Sequence, residues 1–257
     1  IKAASDFQAQ MANVNTMLDL QSKKFLPSLA KAISNMSVQY GEGTKTLTNG
    51  LYDILSASIP VEKSIKVLDT SVRAAKAGMT DTGVAADAIT TILNSYGLAA
   101  ENAADVSDFF FAIVKRGKTT FAELAPTIGR VASLAASSGV ELEELGAVLS
   151  TLTRGGVKTE EAMTGVRAML SAVSGASEES AAVFKDKVGI QLDSVMLKTK
   201  GLTGMLKAMA EARLTPEELK KIFPNVRAAA AAAAAMQQVE GLTEDLAFQY
   251  KRAGQTA

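Results

Sequence analysis

The sequence predicts an all-α protein. It reads as a succession of short amphipathic helices joined by glycine turns, packed as a right-angle, solenoid-like or bundle domain, with longer helices at the ends. Three observations carry this. Apolar residues recur at helical spacing almost throughout. Glycines recur at intervals of one helix plus a turn. No run alternates long enough to make a convincing strand, the weak candidate being Val188 to Val195, around Gly189-Ile190-Gln191-Leu192.

Along the chain, Phe25, Leu29, Ile33, Met36 and Tyr40 step by three or four, as do Val61, Ile65, Leu68 and Val72. Val84, Ile89, Ile92, Leu93 and Tyr96 share one face, and Val106, Phe109, Phe110 and Ile113 another. Phe121, Leu124, Ile128, Val131 and Leu134 read as one further helix. Met163, Val166, Met169, Leu170 and Val173 repeat the pattern, and so do Leu202, Met205, Leu206 and Met209. Gly78, Gly97, Gly117, Gly139, Gly156 and Gly175 punctuate the middle at gaps of 19, 20, 22, 17 and 19 residues. A glycine just past a helix end is the expected left-handed cap. Helix starts follow it: Thr80, Thr159 and Ser177. Thr120-Phe121-Ala122-Glu123 fits the capping box, in which hydroxyl and carboxylate satisfy each other's backbone donors. Thr215-Pro216-Glu217-Glu218 fits it better, with proline at the first helical position. Eight alanines, Ala228 to Ala235, form a strong helix with little area to bury. They read either as an extended surface or connecting helix, or as a close helix–helix contact in an assembly.

Composition narrows the chemistry. The 257 residues carry 27 Lys+Arg against 27 Asp+Glu, so a nucleic-acid site spread over a broad basic face is not expected. There is no Cys, no His and no Trp. Without Cys there is no thiol nucleophile or thiolate metal site, and without His the usual base near neutral pH is missing. No apolar run approaches the ~20 residues that span a bilayer. Phe109-Phe110-Phe111-Ala112-Ile113-Val114 is far too short. The chain opens on Ile1 rather than Met, which points to a piece of a longer protein.

Two patterns imitate active sites. Gly117-Lys118-Thr119 has the closing letters of a phosphate-binding loop, but that loop needs a glycine five residues before Gly117, where Ala112 stands, and a preceding strand. Lys115 and Arg116 read instead as cations opposing a helix C-terminus, and Gly117 as its stop. Glu143-Glu144, Glu160-Glu161, Glu178-Glu179 and Glu217-Glu218 are adjacent carboxylates. Neighbours on a helix diverge by roughly 100°, so such pairs do not face one cleft. Each falls in an expected first turn, where acids favour the helix dipole. Met17, Met36, Met163, Met169, Met205 and Met209 read as core filler, with a greasy partner surface as the alternative. No catalytic, cofactor-binding or metal-binding residue stands out, and no cofactor or small-molecule ligand is expected.

Leu51-Tyr52-Asp53-Ile54-Leu55-Ser56-Ala57-Ser58-Ile59 resembles the LYxIxSAGI segment of phage tail tape measure proteins, also called phage-related minor tail proteins. The likeness continues through Ala74 to Asp81, Leu93 to Leu98 and Val106 to Phe111. Gly117-Lys118-Thr119-Thr120-Phe121-Ala122-Glu123-Leu124 falls where the family often has GxTTxxEL, and Ala135 to Val140, Leu152 to Gly156 and Glu161 to Thr164 follow in order. It spans residues 1 to 190, and Ile222 to Arg227 resembles the family's downstream region. Each motif is helix-turn chemistry, and their order is the specific feature. Pro60 and the Ser174-Gly175-Ala176-Ser177 turn depart from the pattern without upsetting it.

The resemblance implies a non-enzymatic assembly protein of the virion. It would set tail length, reside in the tail lumen or tip after assembly in the host cytoplasm, and leave at DNA ejection. The implied partners are other copies of itself as an oligomer, a trimer being one form, together with tail tube and tail tip or baseplate proteins, the host envelope and passing DNA. Some tape measures carry peptidoglycan-cleaving domains, but no such motif stands here. The alternative is a non-catalytic helical interaction module, an adaptor or tail-like particle component, that binds partner helices. The expected organisation is 1–40 as N-terminal helix or helices, 41–190 as compact core, and 191–257 as C-terminal helices including the alanine run.

Overall fold

The computed structural model describes residues 2–256, with side chains from Ser5 onward, and every regular element among them is helical. The fold falls into two compact units, one holding the chain up to Ser107 together with Thr256, the other Asp108–Gln255. The spatial boundary thus falls inside a helix, α6 (Ala103–Arg116), whereas the division at 40 and 190 follows the helical pattern and the extent of the family resemblance.

The first unit holds α1 (Lys2–Thr16), α2 (Leu26–Tyr40), α3 (Thr44–Ser56), α4 (Val61–Ala77) and α5 (Thr82–Ser95). α3, α4 and α5 pack on one another through Leu47, Leu51 and Ile54, Val67, Leu68 and Val72, and Ile89, Ile92 and Leu93, all fully buried. Gly50 allows the close approach: a Cβ there would lie 3.1 Å from Leu68 Cδ1 and 3.2 Å from Thr82 Cγ2. Tyr40 ties α2 to α4 by donating its hydroxyl to Asp69 at 2.6 Å.

The second unit continues with α7 (Phe121–Leu124), α8 (Ala132–Ser137), α9 (Leu142–Arg154), α10 (Thr159–Ser174) and α11 (Glu178–Val188). It ends with α12 (Ser194–Glu211), α13 (Pro216–Ile222), α14 (Val226–Met236) and α15 (Val239–Gln249). α9 is its centre. All of its 13 residues except Glu143 and Arg154 are buried, and α8, α10, α12, α14 and α15 pack around it. The aromatic run of α6 lies in the same unit, with Phe110 edge-on to Phe121 at 5.2 Å and Phe111 stacked on it.

Most of the sequence periodicities become helices, with instructive exceptions. The pattern Phe121 to Leu134 is not one helix but α7, a 3₁₀ turn at Ile128–Arg130, and α8. Pro126 has no N–H to continue the ladder, so α7 stops after one turn. The weak strand candidate is the end of α11, a left-handed Gly189 cap (φ 77°) and the Asp193 N-cap of α12, whose carboxylate accepts from Met196 N at 2.8 Å. The ends carry no longer helices: α1 has 15 residues and α15 has 11, against 17 in α4.

The caps divide in the same way. Thr215 and Glu218 form the full capping box. Thr120 accepts from Glu123 N at 3.2 Å, but the Glu123 carboxylate turns to the hydroxyls of Thr119 and Thr159. Ser177 caps α11 as expected, whereas Asp81 rather than Thr80 precedes α5, and Thr159 is already helical. Gly97, Gly139 and Gly156 are left-handed, and at Gly78 the left-handed residue is the next one, Met79 (φ 51°), 90% exposed. Gly117 is not left-handed. It is required for space, because a Cβ there would collide with Thr153 Oγ1 of α9. Of the six methionines read as core, five are buried and Met17 is half-buried.

The alanine helix is neither exposed nor merely connecting. Ala228, Ala229, Ala231, Ala232 and Ala235 of α14 are buried, and α14 lies against α10 within this chain. The small side chains do permit a close helix contact, made inside the fold.

Candidate functional site

The motif Gly117-Lys118-Thr119 lies between two helices, as a stop and a start. α6 ends at Arg116, with Lys115 and Arg116 in its last turn. Thr119 and Thr159 share a hydroxyl hydrogen bond of 2.7 Å, and Thr120 is occupied as an N-cap. Lys118 lines an open surface groove of ≈ 590 Å³ with Glu123, Thr153, Lys158 and Thr159. No strand precedes it, so the geometry of a phosphate-binding loop is not present. A neighbouring groove of ≈ 630 Å³ runs between α10 and α14, past Arg130, Glu160, Thr164 and Arg227.

The four acidic pairs all sit in first helical turns, as the dipole argument requires. One pair does far more. Glu144, 6% exposed, receives Leu202 N at 3.3 Å, Thr203 N at 3.1 Å and the Thr203 hydroxyl on its carboxylate. Those amides lack intrahelical acceptors because α12 breaks at Gly201 (φ 72°, ψ 172°), so a new helix start arises inside it. A left-handed glycine is needed there twice over: for the backbone angle, and because a Cβ would overlap the Glu144 carboxylate. Glu144 is thus an N-cap supplied from another helix, 58 residues away.

A second polar centre lies two turns further along α9, where α15 docks. Asp245, with no exposed surface, receives Arg116 Nε at 2.7 Å, Arg154 Nη1 at 2.8 Å and the Thr151 hydroxyl at 2.8 Å. The hydrogen bond to Asp245 raises the Arg116 guanidinium above its usual range. Gly241 on α15 leaves room for the Arg154 guanidinium. Further along, Arg252 pairs with Glu143 at 2.6 Å, Gly254 N donates to Asp108 at 2.6 Å, and the Tyr250 hydroxyl donates to Glu141. Gln249 is the exception. It is 1% exposed, and neither atom of its amide has a hydrogen-bond partner.

The Tyr250 contact makes the molecule sensitive to high pH. The hydrogen bond to the Glu141 carboxylate, with burial, pushes the phenol up from 10.0 to about 12. The folded state holds this proton more tightly than the unfolded chain does. The contribution is therefore complete below pH 10 and lost as pH rises through about 12. Tyrosinate absorbance should show a step near pH 12 that vanishes in Tyr250→Phe. An identical titration in that variant would assign the step elsewhere.

These carboxylates converge on guanidiniums, hydroxyls and helix-start amides inside the packing rather than on an open cleft, the arrangement of a structural helical protein. The chain belongs to the phage-related minor tail protein family, whose profile matches residues 30–237. It is 25% identical to the tape measure protein of Pneumococcus phage Dp-1 over 174 residues, 68% of this chain and 15% of that protein. It is 27% identical to a probable tape measure protein of Clostridium phage phiCD119 over 150 residues, 57% of this chain and 16% of that one. The matched region is thus a small fraction of these relatives' length. No solved structure matches. Family membership supports a structural role in the phage tail and an association with the virion.

Among the described residues, no helix is long and apolar enough to cross a membrane. Sequence reasoning missed Asp245, Arg154 and the cap made by Glu144. Their partners lie 91 and 129 residues from Asp245 and 58 from Glu144, and no local pattern marks such pairs.

Proposed function

We propose that this chain is a compact, non-catalytic segment of a tape measure protein, held in the tail lumen or tip of an assembled phage and released at DNA ejection. The observation that carries the reading is the family match across residues 30–237, joined to a fold of short, folded-back helices. A ruler works by extension, each helical residue adding ~1.5 Å to the tube. The longest unbroken helix among the described residues, α4 with 17, covers only about 26 Å. The segment therefore contributes packing and contacts, while length is set by extended chain elsewhere in the same protein. Its partners in this reading are other copies of itself, in an oligomer such as a trimer, with tail tube and tail tip or baseplate proteins. The envelope and the passing DNA meet it at ejection.

An in-frame deletion in the encoding phage tests this. If the 257 residues acted as ruler helix, their loss would shorten the tail by about 390 Å. The expected result is a change far smaller than that, with the segment detected by mass spectrometry in purified wild-type tails. Shortening by the full amount would make it ruler. Its absence from purified tails would overturn the tail assignment and favour a free helical interaction module.

A further inference from the structure

We infer that α15 is a releasable strap, a helix that lifts off α9 as a unit while the rest of the Asp108–Gln255 unit stays folded. This does not depend on the role proposed in the tail.

The fully buried residues of α15 are Leu242, Asp245 and Gln249, so two of the three are polar. α9, against which it packs, buries Leu142, Leu145, Val148, Leu149 and Leu152. Apolar burial is what makes a helix costly to expose, and Leu242 is the one fully buried apolar side chain of α15, with Val239, Leu246 and Phe248 half-buried. The Asp245 centre does not compensate. Drawing the Asp245 carboxylate wholly, and two guanidiniums partly, out of water cancels much of their attraction, and release returns all of them to water together.

The Gln249 amide opposes docking outright. In place, its nitrogen and oxygen are buried without a partner. It is pressed over Gly146, where a Cβ would fall 2.5 Å from Gln249 Nε2 and 2.8 Å from Phe109 Cε2. Both atoms regain hydrogen bonds when water reaches them, so lifting α15 relieves a penalty that closure imposes. The N-terminal connection suits such a motion, and at the other end Tyr250, Arg252 and Gly254 part from Glu141, Glu143 and Asp108 with it. Gln238, the residue before α15, is non-helical (φ −125°, ψ 32°) and separates it from α14. The family match also stops at residue 237, immediately before this hinge. Release would uncover the Arg116 and Arg154 guanidiniums and the Thr151 hydroxyl on the α9 side.

Hydrogen exchange read by mass spectrometry on the whole chain tests the inference, comparing α15 with α9 and with Phe109–Ile113 of α6. Local opening gives faster exchange than global unfolding. α15 amides should exchange at least ~100-fold faster than the slowest amides of α9. Gln249→Met keeps the shape and removes the unpaired amide. It should slow α15 about tenfold and leave α9 unchanged. Exchange of α15 at the rate of α9 would overturn the strap. A Gln249→Met variant whose α15 exchanges as before would show that the amide does not oppose docking.

Discussion

Glu144→Leu is expected to destabilise the Asp108–Gln255 unit by about 4 kcal/mol, because a buried carboxylate that accepts three hydrogen bonds is replaced by a group that accepts none. Leucine is close in size, so the loss is not one of volume. The two amides at Leu202 and Thr203 stay buried behind α9 without acceptors, and each such orphan costs about 1–3 kcal/mol. Hydrogen bonds to an ionised acceptor lie at the upper end of the usual range. Glu144→Gln retains one carbonyl oxygen and should lose roughly half as much. Urea unfolding followed by circular dichroism gives both values. A melting temperature lower on the order of 10 °C is the corresponding thermal signature of the leucine variant. A Glu144→Leu protein within about 1 kcal/mol of wild type would mean that water or a shift of α12 supplies the missing acceptor.

Glu144 also marks the limit of what the chain's letters reveal. Local chemistry was legible. Thr215-Pro216-Glu217-Glu218 specifies its own cap, because every group it needs lies within one turn. The apolar faces of α2, α10 and α12 could be read because a helix must present one side to the core whatever that core is. What could not be read depends on distant partners. Glu144 stands third in its helix, as Glu161 and Glu218 do in theirs, and nothing near it indicates that α12 will break at Gly201 beside it. Glu123 fits a capping box but is drawn off by Thr159, 36 residues away. Asp245 is one acid on a polar helix until α6 and α9 bring two guanidiniums to it. Gly117 reads as a left-handed stop, yet its lack of a side chain serves Thr153 on another helix. Sequence periodicity reports burial well, while the identity of the buried neighbour is a property of the assembled fold.

Gly165→Val is expected to destabilise the same unit by about 3 kcal/mol, through the contact that the alanine run exists to make. Gly165 sits mid-way along α10 and faces α14, where a Cβ would lie 2.6 Å from Ala231 Cβ and 3.3 Å from Arg227 O. Carbon atoms in contact settle near 3.5–4.0 Å. Neither opposing atom can swing aside, since one is fixed to the α14 backbone and the other is part of it, so the two helices must separate. Gly165→Ala sets two effects against each other. Alanine should favour the helix by about 1 kcal/mol over glycine. The overlap at 2.6 Å works against it and outweighs that gain, leaving a net loss of roughly 1 kcal/mol. The partner substitution separates helix preference from overlap. Ala231→Gly removes the atom that Gly165→Ala would strike, so the double variant should be more stable than the sum of the two single changes, with a coupling of at least about 0.5 kcal/mol. Additive effects would mean that α10 and α14 do not meet at this point, and the burial of Ala228, Ala231 and Ala235 would need another neighbour.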